Sequence, residues 1–128
     1  MNSTPPLTRH TGLRLVPIAG KGRGVITTRP LKKGTLLEVA PIIKLTPDDE
    51  IPDQCVLSNY PFEWDEAPYT KAFVIGIVAL LNHSSKPNCW TECDLERDVF
   101  RVRALMDIPA NTELVHDYGV DPWFKMRG

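Results

Sequence analysis

NHSSKPN (residues 82–88) and ELVHDYG (residues 113–119) are the two stretches on which the reading of this chain turns. A buried asparagine offers two amide donors and an acceptor, and a neighbouring histidine adds ring nitrogens, so Asn82 and His83 can grip a polar ligand from one loop. As a bare triplet, Asn-His-Ser is only turn chemistry. Followed by Lys86-Pro87-Asn88, and further along the chain by Asp117-Tyr118-Gly119, it is a much rarer combination.

Working outward, a third glycine-rich segment stands near the N-terminus at Gly20-Lys21-Gly22-Arg23-Gly24. Glycines permit positive φ and let a backbone approach a ligand closely, although a turn between strands needs the same freedom. The segment is no phosphate-binding P-loop, because no Gly-Lys-Ser/Thr follows at the required spacing. Around it the chain reads as short apolar or β-branched runs at residues 13–16, 24–28, 35–40 and 42–45, separated by Gly and Pro. Leu31-Lys32-Lys33-Gly34 is a turn between two of these strands. Residues 46–70 are polar and interrupted by proline, with Tyr60, Phe62, Trp64 and Tyr69 held on a long loop, Phe62 and Trp64 facing the core. Residues 69–81 read as a short helix ending in a buried run, which delivers NHSSKPN as a loop. An acidic turn at 92–98 and strands at 99–102 and 113–115 follow. Twelve prolines in 128 residues disfavour long helices, so the expected class is β-rich, mainly β with short helices.

The length allows one domain with its own core, expected over residues 10–128 behind a flexible tail at residues 1–9. A net charge of −1 supplies no broad basic field for nucleic acid or acidic membranes. Three cysteines, an odd number, and an N-terminus without a charged-then-apolar pattern lead to the expectation of an intracellular protein, cytoplasmic or nuclear. The longest apolar stretch is too short to span a bilayer.

In their order and content these motifs resemble the SET-domain protein-lysine methyltransferases over residues 12–125. KGRGVITTRPLKKGTLLEV (residues 21–39) is similar to that family's opening glycine turn and second strand, NHSSKPNC to its NHSCxPN segment, and ELVHDYG to its ELxxDYG segment. The resemblance implies a fold of several small curved sheets with a knot-like C-terminal active site. It implies S-adenosylmethionine as cofactor, held by Lys21, Gly22, Arg23, Gly24, Asn82 and His83, with Trp123 packing over it or walling the lysine channel. Tyr118 would be the catalytic residue beside the transferring methyl, and Tyr60 and His116 would line the substrate channel with it. Carbonyls near Ala79 would accept weak C–H···O contacts from the methyl. The implied partner is a protein or peptide lysine, histone or histone-like, and the short viral-type members imply a homodimer; neither nucleic-acid nor membrane binding is expected.

The chain departs from the family pattern at three places. Ser85 stands where many members have cysteine, and no Cys-x-Cys cluster follows Tyr118, so no zinc module and no metal site is expected. Only residues 120–128 follow the motif. His116 occupies a position where the family carries Phe or Tyr and where that choice influences how many methyl groups are added; an imidazole that holds a water there would limit methylation. Two other readings compete: a SET-like module that binds cofactor or peptide without turnover, and a thiol hydrolase using Cys55 or Cys89 with His83.

Overall fold

The computed structural model describes residues 7–117. Ten strands run in chain order: β1 (Thr8–Arg9), β2 (Leu13–Ile18), β3 (Gly22–Thr27), β4 (Leu36–Leu45), β5 (Phe62–Glu66), β6 (Tyr69–Val74), β7 (Asn82–His83), β8 (Cys89–Asp94), β9 (Val99–Ala104) and β10 (Thr112–His116). Single 3-10 turns at Val56–Asn59 and Ile77–Leu80 are the helical elements among these residues. The β-rich class with short helical turns is thus observed. No helix among the described residues is long and apolar enough to cross a membrane.

The strands form two sheets. The larger has the order β5-β6-β4-β9-β8 with β1 added to β4, and the smaller the order β2-β3-β10-β7. Antiparallel pairing predominates. The exception is β7 with β10, which pair in parallel with Val115 opposite Asn82 and His116 opposite His83. Between β2 and β3 the chain reverses through Gly20 and Gly22, whose φ values of 78° and 81° lie in the left-handed region that side chains disfavour.

Local structure differs from the sequence expectation at five places. The runs at 35–40 and 42–45 are one strand, β4, in which Pro41 stands opposite Val99 of β9. The Pro41 carbonyl accepts from Ile75 N at 2.9 Å, just past the end of β6. Residues 69–81 are not one helix: β6 fills the first half, Gly76 is extended, and only Ile77–Leu80 turns. The loop at 46–70 contains a 3-10 turn and β5. The acidic turn expected at 92–98 begins later: residues 92–94 are the end of β8, where Glu92 and Asp94 pair across the ladder with Arg103 at 3.2 Å and Arg101 at 2.6 Å, and residues 95–98 form the turn. At the N-terminal end, Thr8 and Arg9, within the segment read as a tail, pair with Val39 and Glu38.

The core lies between the sheets around Leu37, Trp64, Val78, Phe100, Val102 and Leu114, all at most 2% exposed. Phe62 tilts against Phe100 with ring centroids 4.7 Å apart, and its other neighbour is His116, stacked at 5.8 Å. His116 is 4% exposed. Burial pushes its imidazole down to about 4, the nearby His83 adds to the drop and the Asp117 carboxylate opposes it.

A histidine whose folded pKa lies below its unfolded value binds fewer protons when folded, so its contribution to stability is complete above the unfolded pKa and is lost as pH falls. The fold is therefore expected to weaken between about pH 6.5 and about pH 4, by on the order of 3 kcal/mol from this residue. Urea unfolding across that range, with His116→Phe as reference, checks it: the variant should lose the portion of the acid dependence that belongs to the imidazole.

Candidate active site

Three segments distant in sequence converge on one cleft of about 170 Å³. It is lined by Lys21 and Arg23 from the β2–β3 turn and the start of β3, by Tyr60 after the first 3-10 turn, and by Ala79, Leu80, Leu81 and Asn82 from the second turn and β7. Of the residues expected to hold a cofactor, Lys21, Arg23 and Asn82 are together here, and Tyr60, expected in the channel, stands with them.

Glu113 organises the polar side of the cleft. Its Oε1 accepts from Lys21 Nζ at 2.9 Å and its Oε2 from Asn82 Nδ2 at 2.7 Å. Asn82 Nδ2 also donates to the Arg23 carbonyl at 2.8 Å. An ion pair with a 41% exposed lysine contributes little to stability; its effect is geometric, holding the turn against β10. Gly24 lies beneath this network and is buried. A Cβ at that position would stand 2.5 Å from Glu113 Oε2, 2.7 Å from Asn82 Nδ2 and 2.9 Å from Ile18 Cγ1. The expected role of Gly24 as a ligand contact is thereby accompanied by a packing requirement that the motif alone did not reveal.

NHSSKPN is bound to ELVHDYG along its length. Asn88 uses its side chain as a strand would use its backbone: Nδ2 donates to Glu113 O at 2.8 Å and Oδ1 accepts from Val115 N at 2.9 Å. Asn88 N donates to Val115 O at 3.2 Å, and Ser84 N to His116 O at 3.0 Å. His83 is exposed, with Nδ1 3.7 Å from Asp117 Oδ1. His83, Gly22 and Gly24 do not line the 170 Å³ cleft, and neither does His116, which stacks on Phe62 instead. Tyr118 and Trp123 lie outside the described residues.

Sequence reasoning assigned no role to Glu113 or Asn88. Both stand inside quoted motifs, but their partners are far away in the chain, 92 positions for Lys21 with Glu113 and 25 for Asn88 with Glu113. The only local signal was an acidic residue near the start of a strand.

Cys89 does not supply a nucleophile here. Cys89 is buried, its thiol donates to Asn88 Oδ1 at 3.4 Å, and burial pushes it up to about 12, so almost no thiolate exists at neutral pH. Among the described residues no group of three or more His, Cys, Asp or Glu is placed to hold a metal ion.

Comparison with known proteins places these segments in a shared frame. The SET domain family pattern matches residues 22–119. The histone-lysine N-methyltransferase of Schizosaccharomyces pombe, specific for lysine 37 of histone H3, is 27% identical over 107 residues, covering 82% of this chain and 71% of its own. A crystal structure of a Plasmodium falciparum protein described as a candidate histone methyltransferase superposes with a TM-score of 0.72 at 25% identity. That match covers 89% of this chain and 98% of the other.

The close packing at Gly24 has a direct consequence. Gly24→Ala should separate Glu113 from Asn82 and cost about 1–3 kcal/mol of stability, read by urea denaturation. The amide resonances of Lys21 and Asn82 should shift with it, while those of β8 and β9 stay in place.

Proposed function

The chain belongs to the SET domain family, and from that premise we propose that it transfers a methyl group from S-adenosylmethionine to the side-chain amine of a lysine in a protein. The observation that carries this reading is the convergence of Lys21, Arg23, Tyr60 and Asn82 on one cleft, from three segments that are separate in the chain.

The residues fit such a cofactor. Two cationic side chains beside the cleft suit the carboxylate of its amino-acid end. The Oδ1 of Asn82 accepts no hydrogen bond among the described residues, since only the amide Nδ2 is engaged, and so remains able to accept from the ammonium. The apolar run at residues 79–81 and the ring of Tyr60 offer a surface for its less polar portion. We assign Lys21, Arg23 and Asn82 to binding, with Gly22, Gly24 and His83 shaping the backbone on either side.

When bound, the cofactor supplies a methyl group activated by a positively charged sulfur. The chain must bring an uncharged amine to it. A lysine of pKa about 10.4 loses its proton at pH 7 at a cost of about 4.6 kcal/mol, and an apolar channel beside a positive charge lowers that cost by disfavouring the ammonium. Little is then required of a general base. Alignment carries the rest: a fixed tyrosine hydroxyl and backbone carbonyls near Ala79 orient the amine and the methyl for in-line displacement. We assign the hydroxyl to Tyr118, with Tyr60 as a wall of the channel. The names of the two relatives, one a histone-lysine methyltransferase and the other described as a candidate histone methyltransferase, favour a basic histone-like protein as substrate.

Labelled S-adenosylmethionine incubated with histones and with cell lysate, followed by identification of the modified residue, tests the assignment. Label should appear on lysine. Tyr118→Phe should lower transfer by roughly 100-fold or more while cofactor still binds by calorimetry; undiminished transfer in that variant refutes the role of Tyr118. Binding without any transfer by the wild type would leave a cofactor-holding module instead.

A further inference from the structure

Glu38 is 5% exposed near the start of β4, and the proposed chemistry makes no direct use of it. Its two carboxylate oxygens each accept a backbone N–H from the turn Ile77–Leu80, Oε2 from Ile77 at 3.1 Å and Oε1 from Val78 at 2.8 Å. The first N–H groups of any helical turn lack partners within it. Here the local capping residue, Gly76, has no side chain to offer, so the cap comes from another strand.

Gly76 is an independent sign of the same arrangement. A Cβ there would meet Glu38 Oε2 at 2.7 Å and its Cδ and Oε1 at 2.8 Å. The φ of Gly76 is −176°, extended backbone open to any residue, so the glycine is required by space alone: the carboxylate rests against its α-carbon. A buried carboxylate is costly for a core unless its hydrogen bonds are complete. Burial raises the Glu38 carboxyl above the usual range, against the pull of the Val78 and Ile77 amides and of Arg9.

The turn that Glu38 caps is the one whose Ala79 and Leu80, with Leu81 and Asn82 after it, line the cleft. We propose that Glu38, seated on Gly76, is a positioning residue for the cofactor cleft, fixing through the Ile77–Leu80 turn the carbonyls near Ala79 and the approach of Asn82. The inference rests on the methyl-transfer reading and adds to it a residue that touches neither reactant.

Three variants test it: Glu38→Gln, which turns one acceptor into a donor facing an N–H; Gly76→Ala, which displaces the carboxylate by one methyl; and Leu31→Ala, a buried residue outside the cleft lining that lowers stability. Calorimetric affinity for S-adenosylmethionine, KM for the cofactor and thermal stability are measured for each. Glu38→Gln and Gly76→Ala should bind the cofactor roughly 10-fold or more weakly, with KM raised in step, while Leu31→Ala binds as the wild type despite a comparable loss of stability. Wild-type affinity in both clamp variants, or an equal loss in Leu31→Ala, overturns the proposal. A wild type that binds no S-adenosylmethionine overturns the methyl-transfer reading instead. The clamp is then judged from hydrogen exchange at the Ile77 and Val78 amides, which should quicken in both clamp variants and contradicts the clamp if it stays at the wild-type rate.

Discussion

A strand inside a sheet must have both edges hydrogen-bonded, and in β10 one edge is completed by a strand of only two residues and the loop that follows it. β3 covers one side over Thr112 to Leu114. On the other, β7 contributes two residues, and the remaining groups are met by Asn88 and Ser84, which between them engage Glu113 O, Val115 N, Val115 O and His116 O. An asparagine amide can replace a peptide unit in this way because its NH2 donors and its carbonyl acceptor lie in the same plane. The arrangement fixes residues 82–88 against β10 from end to end, and so brings Asn82 to Glu113.

From that contact the cleft follows. Glu113 reaches Lys21 as well as Asn82, and Gly24 lets β3 approach closely enough for both bonds to form. None of these interactions is strong by itself, since the lysine is well exposed and screened. Their joint effect is to give three otherwise separate segments one relative position, which a site that works mainly by alignment requires. The stiff parts lie behind them: the second 3-10 turn rests on Glu38 and the buried Val78, and β3 places Val25 in the core.

Much of this was legible in the sequence, for a physical reason. Short β-branched runs, glycine turns and frequent proline specify a β-rich chain locally, and the glycine turn and NHSSKPN carry Lys21, Arg23 and Asn82, which the fold brings to one cleft together with Tyr60 from the proline-rich loop. What was not legible depended on distant partners. The end of β8 looked like part of an acidic turn because the partners that hold Glu92 and Asp94 in the ladder, Arg103 and Arg101, stand on β9. The helical reading of residues 69–81 failed because an apolar run has the same appearance in a buried strand as in a buried helix, and the neighbouring strands decided it. Glu113, Asn88 and Glu38 were invisible as site-forming residues because each acts across tens of positions.

His116 shows how such a context changes the meaning of a residue. In the motif it stands two positions before a candidate catalytic tyrosine, which invites a chemical role. In the fold its ring stacks on Phe62, itself packed on Phe100, and burial keeps the imidazole neutral. A neutral imidazole in that position is first an aromatic core residue. β10 therefore divides its tasks along its length: Glu113 serves the cleft, Leu114 the core, and His116 the aromatic cluster beside it. Any polar contact that this ring makes has to be made from within the core.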